Sequence, residues 1–432
     1  MIDLPDPSAA LARAVLHAMR RLVPFLVLAY VVSFLDRANV AFAKEALAMS
    51  RGISEQAYAL GAGLFFLSYS TCGFPSNLIL YRIGARRWIS SLLIAWGLVS
   101  AATTLVTGPM SFYGLRLLLG VTEAGFFPGI ILYLTFWFPG RIRGRIMGLF
   151  YLAVPIALII GGPLSGLLLD VRTGLQGWQW MFLVEGLLAV VVGILAFGLL
   201  VDRPAQAVWL AEDEKRALID DLAREQAERR ATGPARIRSL FRDFTVLRFL
   251  GIYVLVQIGT YGVVFYLPSV VGALLHRSAG LVVGLVSAIP WIFAVVTVFV
   301  LPRVADQRRN HRIMASVIMV FAGAASFIFP SAGPVTGLIA LSVAAAGLIA
   351  VQPLFWTLPT SYLADRAAAA GIALIGAGNL GGFLAPNLKV WADDLFHSHR
   401  AGFYLLAALT LLDAVVIATI RREKPPFRAN GA

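Results

Sequence analysis

The feature that most constrains this chain is a series of long apolar runs that recurs along all 432 residues. A helix rises about 1.5 Å per residue, so about 20 apolar residues are needed to cross a bilayer core about 30 Å thick. The content of 59% hydrophobic and 14% charged residues agrees with an integral membrane protein, and the alternation of a β-barrel is absent. Twelve transmembrane helices are predicted: 22–43, 57–80, 88–107, 111–135, 144–170, 178–200, 248–275, 280–301, 312–331, 334–362, 367–391 and 399–420.

Lysine and arginine residues are distributed unevenly between the two sides of these helices. Counted with the helix ends that adjoin them, segments on the side of the N-terminus hold 28 of the 36 lysines and arginines and those on the opposite side hold five, while Arg37, Arg116 and Lys389 lie further inside helices. Because positively charged loops usually face the cytoplasm, both termini are predicted to be cytoplasmic. The net charge of +13 then follows from topology and from contact with anionic lipid, and it does not indicate nucleic-acid binding.

The chain is predicted to contain two related halves. Corresponding helices of the first and second six are offset by about 221 to 226 residues, which indicates a duplicated six-helix bundle. We expect an N-terminal bundle at 1–201, a cytoplasmic linker at 202–247 and a C-terminal bundle with its tail at 248–432. The linker carries both charge signs, and the spacing of Trp209, Leu218 and Leu222 predicts a short amphipathic helix within it.

Two of the apolar runs each contain a pair of ionisable residues. Asp36 and Arg37 are adjacent in the first predicted helix, whereas Arg116 and Glu123 lie in the fourth, seven residues apart and on nearly the same face. A charged residue at a bilayer centre costs about 2.5–3.5 kcal/mol on insertion scales, so each must be paired, hydrated or bound to a ligand. Either these residues form a structural ion pair, or Arg116 binds a substrate carboxylate while Glu123 takes up and releases a proton. Gly120 lies between them and leaves room for a neighbouring helix or a ligand.

Several polar and aromatic residues of other predicted helices are candidates for contact with a substrate. Aromatic residues in membrane helices more often serve packing or lie at the interface, so rings alone are weak indicators of a binding site. The candidates are Tyr69, Tyr261, Trp356, Asn379 and, less strongly, Gln352.

The loop after the second helix and its counterpart in the second half resemble a repeated cytoplasmic motif of the major facilitator superfamily. The first copy contains Gly84, Arg86 and Arg87, and the second contains Asp306 and Arg308. The resemblance implies that the glycine permits a tight turn and that the charged residues hold neighbouring helices together at the inner gate.

The resemblance narrows to the anion:cation symporter family, which includes bacterial tartrate, phthalate and galactonate transporters and animal sialin and vesicular glutamate carriers. The segments that carry it are 34–39 (FLDRAN), 75–78 (PSNL), 84–88 (GARRW), 116–129 (RLLLGVTEAGFFPG), 355–359 (FWTLP) and 378–383 (GNLGGF). Membership implies an all-α membrane fold of two six-helix bundles. It also implies proton coupling by Asp36 and Glu123, substrate binding by Arg116, and a gating, coupling or substrate-binding role for Arg37. Tyr69 and Asn379 match positions of substrate contacts in the family.

Two positions depart from the family pattern. Tyr81 replaces the acidic residue of the first loop motif. Lys389 lies near the predicted outer end of the eleventh helix, within the segment 385–390, in which Ala385 and Val390 replace the two glycines of the family pattern. Its ammonium group is expected either to extend to the membrane surface or to line an outer vestibule.

The sequence therefore predicts a proton-coupled symporter that imports a small organic carboxylate across a bacterial inner membrane. The acid is either a tartrate-like sugar acid or an aromatic acid, and the transporter is expected to act as a monomer without a metal or another cofactor. An exporter or exchanger of drugs or metabolites is the alternative, and a membrane-embedded enzyme or receptor is more remote, since no nucleophile and base set is found. The GxGxxG pattern at 376–381 lies in an apolar helix and does not indicate nucleotide binding.

Overall fold

The computed structural model describes residues 9–231, 242–308, 310–362, 371–372 and 374–420, and within these ranges every regular element is helical. The α-helices are α1 (Ala9–Arg51), α2 (Glu55–Ile83), α3 (Ala85–Ala102), α4 (Pro109–Glu123), α5 (Phe126–Trp137), α6 (Gly140–Tyr151), α7 (Ala153–Leu169), α8 (Gly177–Leu199), α9 (Glu212–Ala231), α10 (Phe244–Leu275), α11 (Leu281–Arg308), α12 (His311–Ile328), α13 (Pro334–Tyr362), α14 (Gly381–Phe396) and α15 (Ala401–Ala418). Helices α4 and α5 form one span that bends at residues 124–125, and α6 and α7 are likewise nearly continuous.

Ten described helical stretches are long and apolar enough to cross a membrane. They correspond to ten of the twelve predicted spans. The other two predicted spans, 57–80 and 367–391, coincide with α2 and with a region that ends in α14, while residues 363–370 and 373 lie outside the described part of the chain. The all-helical fold expected from the apolar runs is therefore confirmed.

The first helix is longer than the sequence predicted. It begins at Ala9 instead of residue 22, because a prediction from hydropathy stops where charged residues begin. This extension binds the linker helix α9: Arg13 forms ion pairs with Asp213 at 2.8 Å and Glu214 at 3.3 Å, and Nδ1 of His17 lies 3.0 Å from Glu214. Helix α9 is thus held on the N-terminal half.

The turn between α2 and α3 is the first copy of the predicted gating loop. Gly84 has a φ of +92°, a conformation that favours glycine, and a Cβ atom there would lie 2.9 Å from the carboxylate of Asp202. The backbone N–H of Arg86 donates to Asp202 Oδ1 at 2.8 Å. Arg87 and Arg308 are exposed, and the side chain of Asp306 lies outside the described part of the structure. Asp202, which sequence analysis did not select, thus ties this loop to the end of α8.

Glycines bring the two halves into close contact between α7 and α11. A Cβ atom at Gly162 would lie 2.6 Å from the carbonyl oxygen of Gly284, and Gly166 packs in the same way against Gly280. Such contacts between small residues are a common means of helix association in membranes, where apolar surface alone gives little driving force. At the adjacent helix ends, Asp170 Oδ2 accepts a hydrogen bond of 2.9 Å from the backbone N–H of Leu281.

A group of four charged side chains also joins the halves on the predicted outer side. We call Lys44, Glu55, Lys389 and Asp393 the outer ion-pair cluster. Lys389 lies 2.7 Å from Glu55 and 2.6 Å from Asp393, and Lys44 lies 2.9 Å from Glu55. Because Lys389 is only 4% exposed, its ammonium group neither extends to the surface nor stands in an open vestibule. It instead connects α14 with α2.

We predict that Gly162→Ala lowers the melting temperature of the purified protein in detergent. The added methyl group must push α7 away from the backbone of α11, although alanine favours a helix over glycine by up to about 1 kcal/mol. Gly251→Ala in α10 is the matched control, since a Cβ atom there meets no other atom within 4 Å. That variant should melt at the same or a higher temperature, and equal destabilisation of both variants would contradict close packing at Gly162.

We also predict that Lys389→Gln opens the outer side. Removing one partner of a buried ion pair costs about 3–5 kcal/mol, which favours conformations in which the halves separate. A cysteine introduced at Tyr58, which is buried beside Lys44, reports this opening in a Cys72→Ser background. Its reaction with a membrane-impermeant maleimide in spheroplasts should be several times faster in the Lys389→Gln variant.

The control for this experiment is Lys215→Gln, which removes an ion pair with the exposed Glu212 and should leave the labelling rate unchanged. Equal labelling in all three proteins would show that the cluster does not hold the halves together.

Candidate functional site

A cavity lies between the two halves at the centre of the molecule. It has a volume of about 30 Å³ on a scale where one water needs roughly 10–15 Å³, so it holds about two waters in this conformation. The N-terminal half contributes Tyr30, Phe34, Arg37, Tyr69, Phe127, Tyr151 and Val154, and the C-terminal half contributes Tyr253, Gln257, Thr260, Tyr261, Val264, Ile349, Gln352 and Asn379. Among these lining residues, Arg37 alone carries a permanent charge.

Arg37 forms a buried ion pair with Glu123 at the edge of this cavity. Its Nη2 and Nε atoms lie 2.7 and 2.8 Å from Oε1 of Glu123, and the hydroxyl of Ser33 donates to the same oxygen. The guanidinium carbon lies 4.7 Å from the ring centroid of Tyr69. Glu123 is fully buried, and its Oε2 has no hydrogen-bond partner among the described residues. One oxygen of Glu123 thus accepts every hydrogen bond that the described residues donate to this carboxyl group.

Asp36 points away from the cavity although it adjoins Arg37. Consecutive residues of a helix project about 100° apart, which turns Asp36 toward α3 when Arg37 faces the centre. Oδ1 of Asp36 accepts a hydrogen bond of 2.7 Å from Ser100, and Oδ2 accepts one of 3.1 Å from Nε1 of Trp96. Nδ2 of Asn39 lies 3.5 Å from Oδ1. These donors suit a carboxylate anion.

Arg116 lies in α4 and is not part of the cavity wall. Its side chain is 2% exposed, with the guanidinium carbon 5.1 Å from the ring centroid of Phe65. Nε and Nη2 meet no hydrogen-bond partner in the described ranges. The backbone at Gly120, one turn further on, packs directly against Phe65 and Ser68 of α2, which is the close helix approach that the sequence predicted. The structure thus pairs Glu123 with Arg37 of α1. Arg116 is a separate buried cation.

Asn379 reaches the cavity from a short 3₁₀ segment, Ala377–Leu380, which interrupts the continuous helix predicted at 367–391. Its Oδ1 accepts a hydrogen bond of 2.7 Å from Nε2 of Gln257, and its Nδ2 donates to the carbonyl oxygen of Gly376 at 2.9 Å. Gly378 and Gly381 pack against the backbone of α10, where a side chain would collide. The break in the helix therefore follows from close packing on α10.

Of the remaining predicted contacts, Tyr69 and Tyr261 line the cavity, and Trp356 stands behind its wall. The ring of Trp356 lies 5.1 Å from that of Tyr253, which does line the cavity. The structure thus brings together four predicted residues around this cavity: Arg37, Tyr69, Tyr261 and Asn379.

Three further lining residues, Tyr253, Gln257 and Thr260 of α10, were not predicted from the sequence. Their position could have been inferred, because Tyr253, Gln257 and Tyr261 recur at intervals of four residues and so share one face of the helix. A polar stripe of this kind in an apolar helix indicates a surface that faces protein or water instead of lipid.

Comparison with known proteins agrees with this architecture. The family model described as Major Facilitator Superfamily matches residues 26–386. The inner membrane transport protein RhmT of Escherichia coli (strain K12) is 43% identical over 418 residues, covering 96% of this chain and 97% of the relative. A candidate tartrate transporter of Agrobacterium vitis is 39% identical over 419 residues, covering 96% of this chain and 92% of the relative. A quinolone resistance transporter of Acinetobacter baumannii is 39% identical over 412 residues, covering 94% of this chain and 95% of the relative.

A solved structure extends the likeness to the fold. The crystal structure of a D-xylose–proton symporter superposes with a TM-score of 0.70 at 14% identity and covers 93% of this chain and 97% of the symporter. The matching fold, the family model and the relatives are those of integral, multi-pass membrane transporters and not of enzymes. The chain belongs to the Major Facilitator Superfamily.

Proposed function

We propose that the chain is a symporter that brings a small organic carboxylate into the cell together with protons. The observation that carries this proposal is the position of Arg37, a cation that lies on the wall of the cavity between the halves and is neutralised by Glu123. A cation in that position attracts an anionic substrate, and its present partner is an acid that can take up a proton.

Exchange of partners at Arg37 provides the coupling. The planar guanidinium binds a carboxylate through two parallel hydrogen bonds, so a substrate carboxylate competes directly with Glu123. A carboxyl group that loses its cationic partner in a site of low dielectric constant is unstable as an anion, which favours its protonated form. Binding of the anion therefore favours a proton on Glu123, and the proton and the anion occupy the site together.

The other groups on the cavity wall define the class of substrate. Gln257, Gln352 and Asn379 offer neutral amides that suit hydroxyl groups, and the tyrosines offer rings and phenolic hydroxyls. Hydroxy acids such as tartrate and aromatic acids such as phthalate or hydroxyphenylacetate both fit this chemistry. The similarity to a candidate tartrate transporter supports the first group.

Transport requires that the two halves move about the site. A cavity for about two waters is too small for any of these acids, so the halves must separate on one side to admit the substrate. Alternating exposure of a central site by rocking of two repeats is the general mode of such transporters.

Export of a drug or metabolite is the second candidate function. The similarity to a quinolone resistance transporter favours it. The two functions differ in the direction of net flux that an imposed proton gradient drives.

Uptake into proteoliposomes tests the proposal. With an acidic exterior, labelled tartrate, phthalate or hydroxyphenylacetate should accumulate above its external concentration, and a protonophore should abolish this accumulation. No accumulation of any of the three acids would contradict import of these substrates. Accumulation of a quinolone under an acidic interior would establish the exporter instead.

The variant Glu123→Gln should lose accumulation and keep exchange of labelled for unlabelled acid. Glutamine resembles protonated glutamate in shape and charge but cannot release a proton, so the substrate still crosses while the gradient no longer drives it. The ratio of internal to external acid should fall to about one, as expected for an uncoupled carrier. If exchange is lost to the same degree as accumulation, Glu123 is required for binding or folding and not specifically for coupling.

Arg37→Lys should raise the KM for exchange by about tenfold, because an ammonium group cannot make the two parallel hydrogen bonds. Arg116→Lys is the comparison, since it makes the same change in a guanidinium that does not line the cavity. Its effect on KM should be smaller. A larger effect at Arg116 would assign substrate binding to that residue.

A further inference from the structure

A third buried acid in the N-terminal half has no part in the exchange at Arg37. Glu185 lies in the middle of α8 and is 1% exposed. Oε1 accepts a hydrogen bond of 2.8 Å from the hydroxyl of Ser165, whereas Oε2 has no partner within the described ranges. One hydroxyl is poor compensation for the burial of a full negative charge, so the carboxyl group suits the neutral, protonated form.

Asn39 acts on both acids. Its side chain is fully buried, its Nδ2 lies 3.5 Å from Oδ1 of Asp36, and its amide acts on the Glu185 carboxyl as a donor. Oδ1 of Asn39 accepts no hydrogen bond from the residues that the structure describes. The amide therefore presents its N–H donors, and not its oxygen, to the two carboxyl groups.

The two acids differ in the donors that surround them. Asp36 has the indole of Trp96 and the hydroxyl of Ser100 in addition to Asn39, a set that favours its anion. Glu185 has the hydroxyl of Ser165 and the amide of Asn39. Two carboxyl groups that interact in a dry site do not both ionise readily, so the protonation of one affects that of the other.

Few other charges face this pair. Helices α1, α3 and α7 pack against α8. In the described part of the chain, Asp36 of α1 is the titratable group that acts on Glu185 from these neighbours, while α3 and α7 contribute Trp96, Ser100 and Ser165 to the two carboxyl groups. Helix α8 carries no other acidic or basic residue along its length.

We propose that Glu185 is a second proton-binding residue of the N-terminal half. A proton binds at Oε2, the oxygen that has no hydrogen-bond partner in the described ranges, and the carboxyl group becomes neutral. Release of that proton leaves an anion that accepts the hydrogen bond of Ser165. A role for this proton in transport depends on the proposed symport, whereas its binding to Glu185 does not.

Infrared difference spectroscopy of the full-length protein in detergent, without substrate, tests the proton-binding step. Raising the pH from acidic to alkaline should remove intensity from the carbonyl stretch of protonated carboxyl groups in the wild type. Glu185→Gln should lack one component of this loss. Asp36→Asn should shift that component, because the coupling within the pair is removed.

Asp413→Asn is the matched control for these spectra. Asp413 is another fully buried acid, located in α15, and neither of its oxygens meets a hydrogen-bond partner in the described ranges. Its substitution should leave the Glu185 component in place. A Glu185→Gln spectrum identical to that of the wild type would overturn the proposal, since Glu185 would then not change its protonation.

A second variant decides the matter if Glu185→Gln does not fold. Ser165→Ala removes the donor to Oε1, so the pH-dependent carboxyl component should move to higher frequency. No shift of any pH-dependent carboxyl component in this variant would also overturn the assignment.

The link to transport is measured separately in proteoliposomes with tartrate as the probe. If tartrate accumulates, Glu185→Gln should lower the number of protons moved per tartrate while exchange persists, and an unchanged ratio would overturn a role in coupling. If the wild type transports no tartrate, the proposed substrate fails, and the spectra still decide whether Glu185 binds a proton.

Discussion

The ion pair between Arg37 and Glu123 is the interaction on which the rest of the site depends. Each charge alone would be costly in the bundle, and together they are tolerated because the guanidinium and the carboxylate lie within 2.8 Å of each other. The wall of the cavity therefore stays electrically neutral as long as the two side chains remain paired. In the proposed symport, an anion binds Arg37 only when Glu123 leaves it, and Glu123 leaves at low cost only when it is protonated.

The two halves of the protein make different contributions to this chemistry. Asp36, Glu123 and Glu185 and both buried arginines belong to the N-terminal half, and each of these acids has a different set of donors. Asp36 has an indole and a hydroxyl, Glu123 has a guanidinium and a hydroxyl, and Glu185 has one hydroxyl and an amide. The C-terminal half presents neutral amides and rings to the cavity. In the proposed symport, the proton-binding acids and the cation for the substrate carboxylate thus lie on one half, and the neutral amides that face the rest of the substrate lie on the other.

Much of this arrangement could be predicted from the sequence, because hydropathy and charge are properties of local segments. The helices and the burial of Asp36, Arg37, Arg116 and Glu123 follow from that information. The partners of those residues do not, since they depend on how each helix is rotated in the bundle. Arg116 and Glu123 share a face of α4, yet Glu123 binds Arg37 of α1. The close packing of Gly162 and Gly166 against α11 and its N-terminal end, and of Gly378 and Gly381 against α10, likewise depends on that rotation and required the structure.

The outer ion-pair cluster and the central pair behave differently when the halves separate. Glu55 is shared by Lys44 and Lys389, and Lys389 is shared by Glu55 and Asp393. Separation of α14 from α2 breaks the contact between Lys389 and Glu55 and leaves a neutral pair on each half, Lys44 with Glu55 and Lys389 with Asp393.

No charge of this cluster is left unpaired when the outer side opens, so its opening requires neither a proton nor a substrate to neutralise one. At the centre, Arg37 and Glu123 lie on the same half, and motion of the halves leaves their pairing intact. In the proposed symport, only a competing anion or a proton separates them. The outer contacts then serve as a gate, while the coupling of anion to proton resides in the one pair that the motion itself does not break.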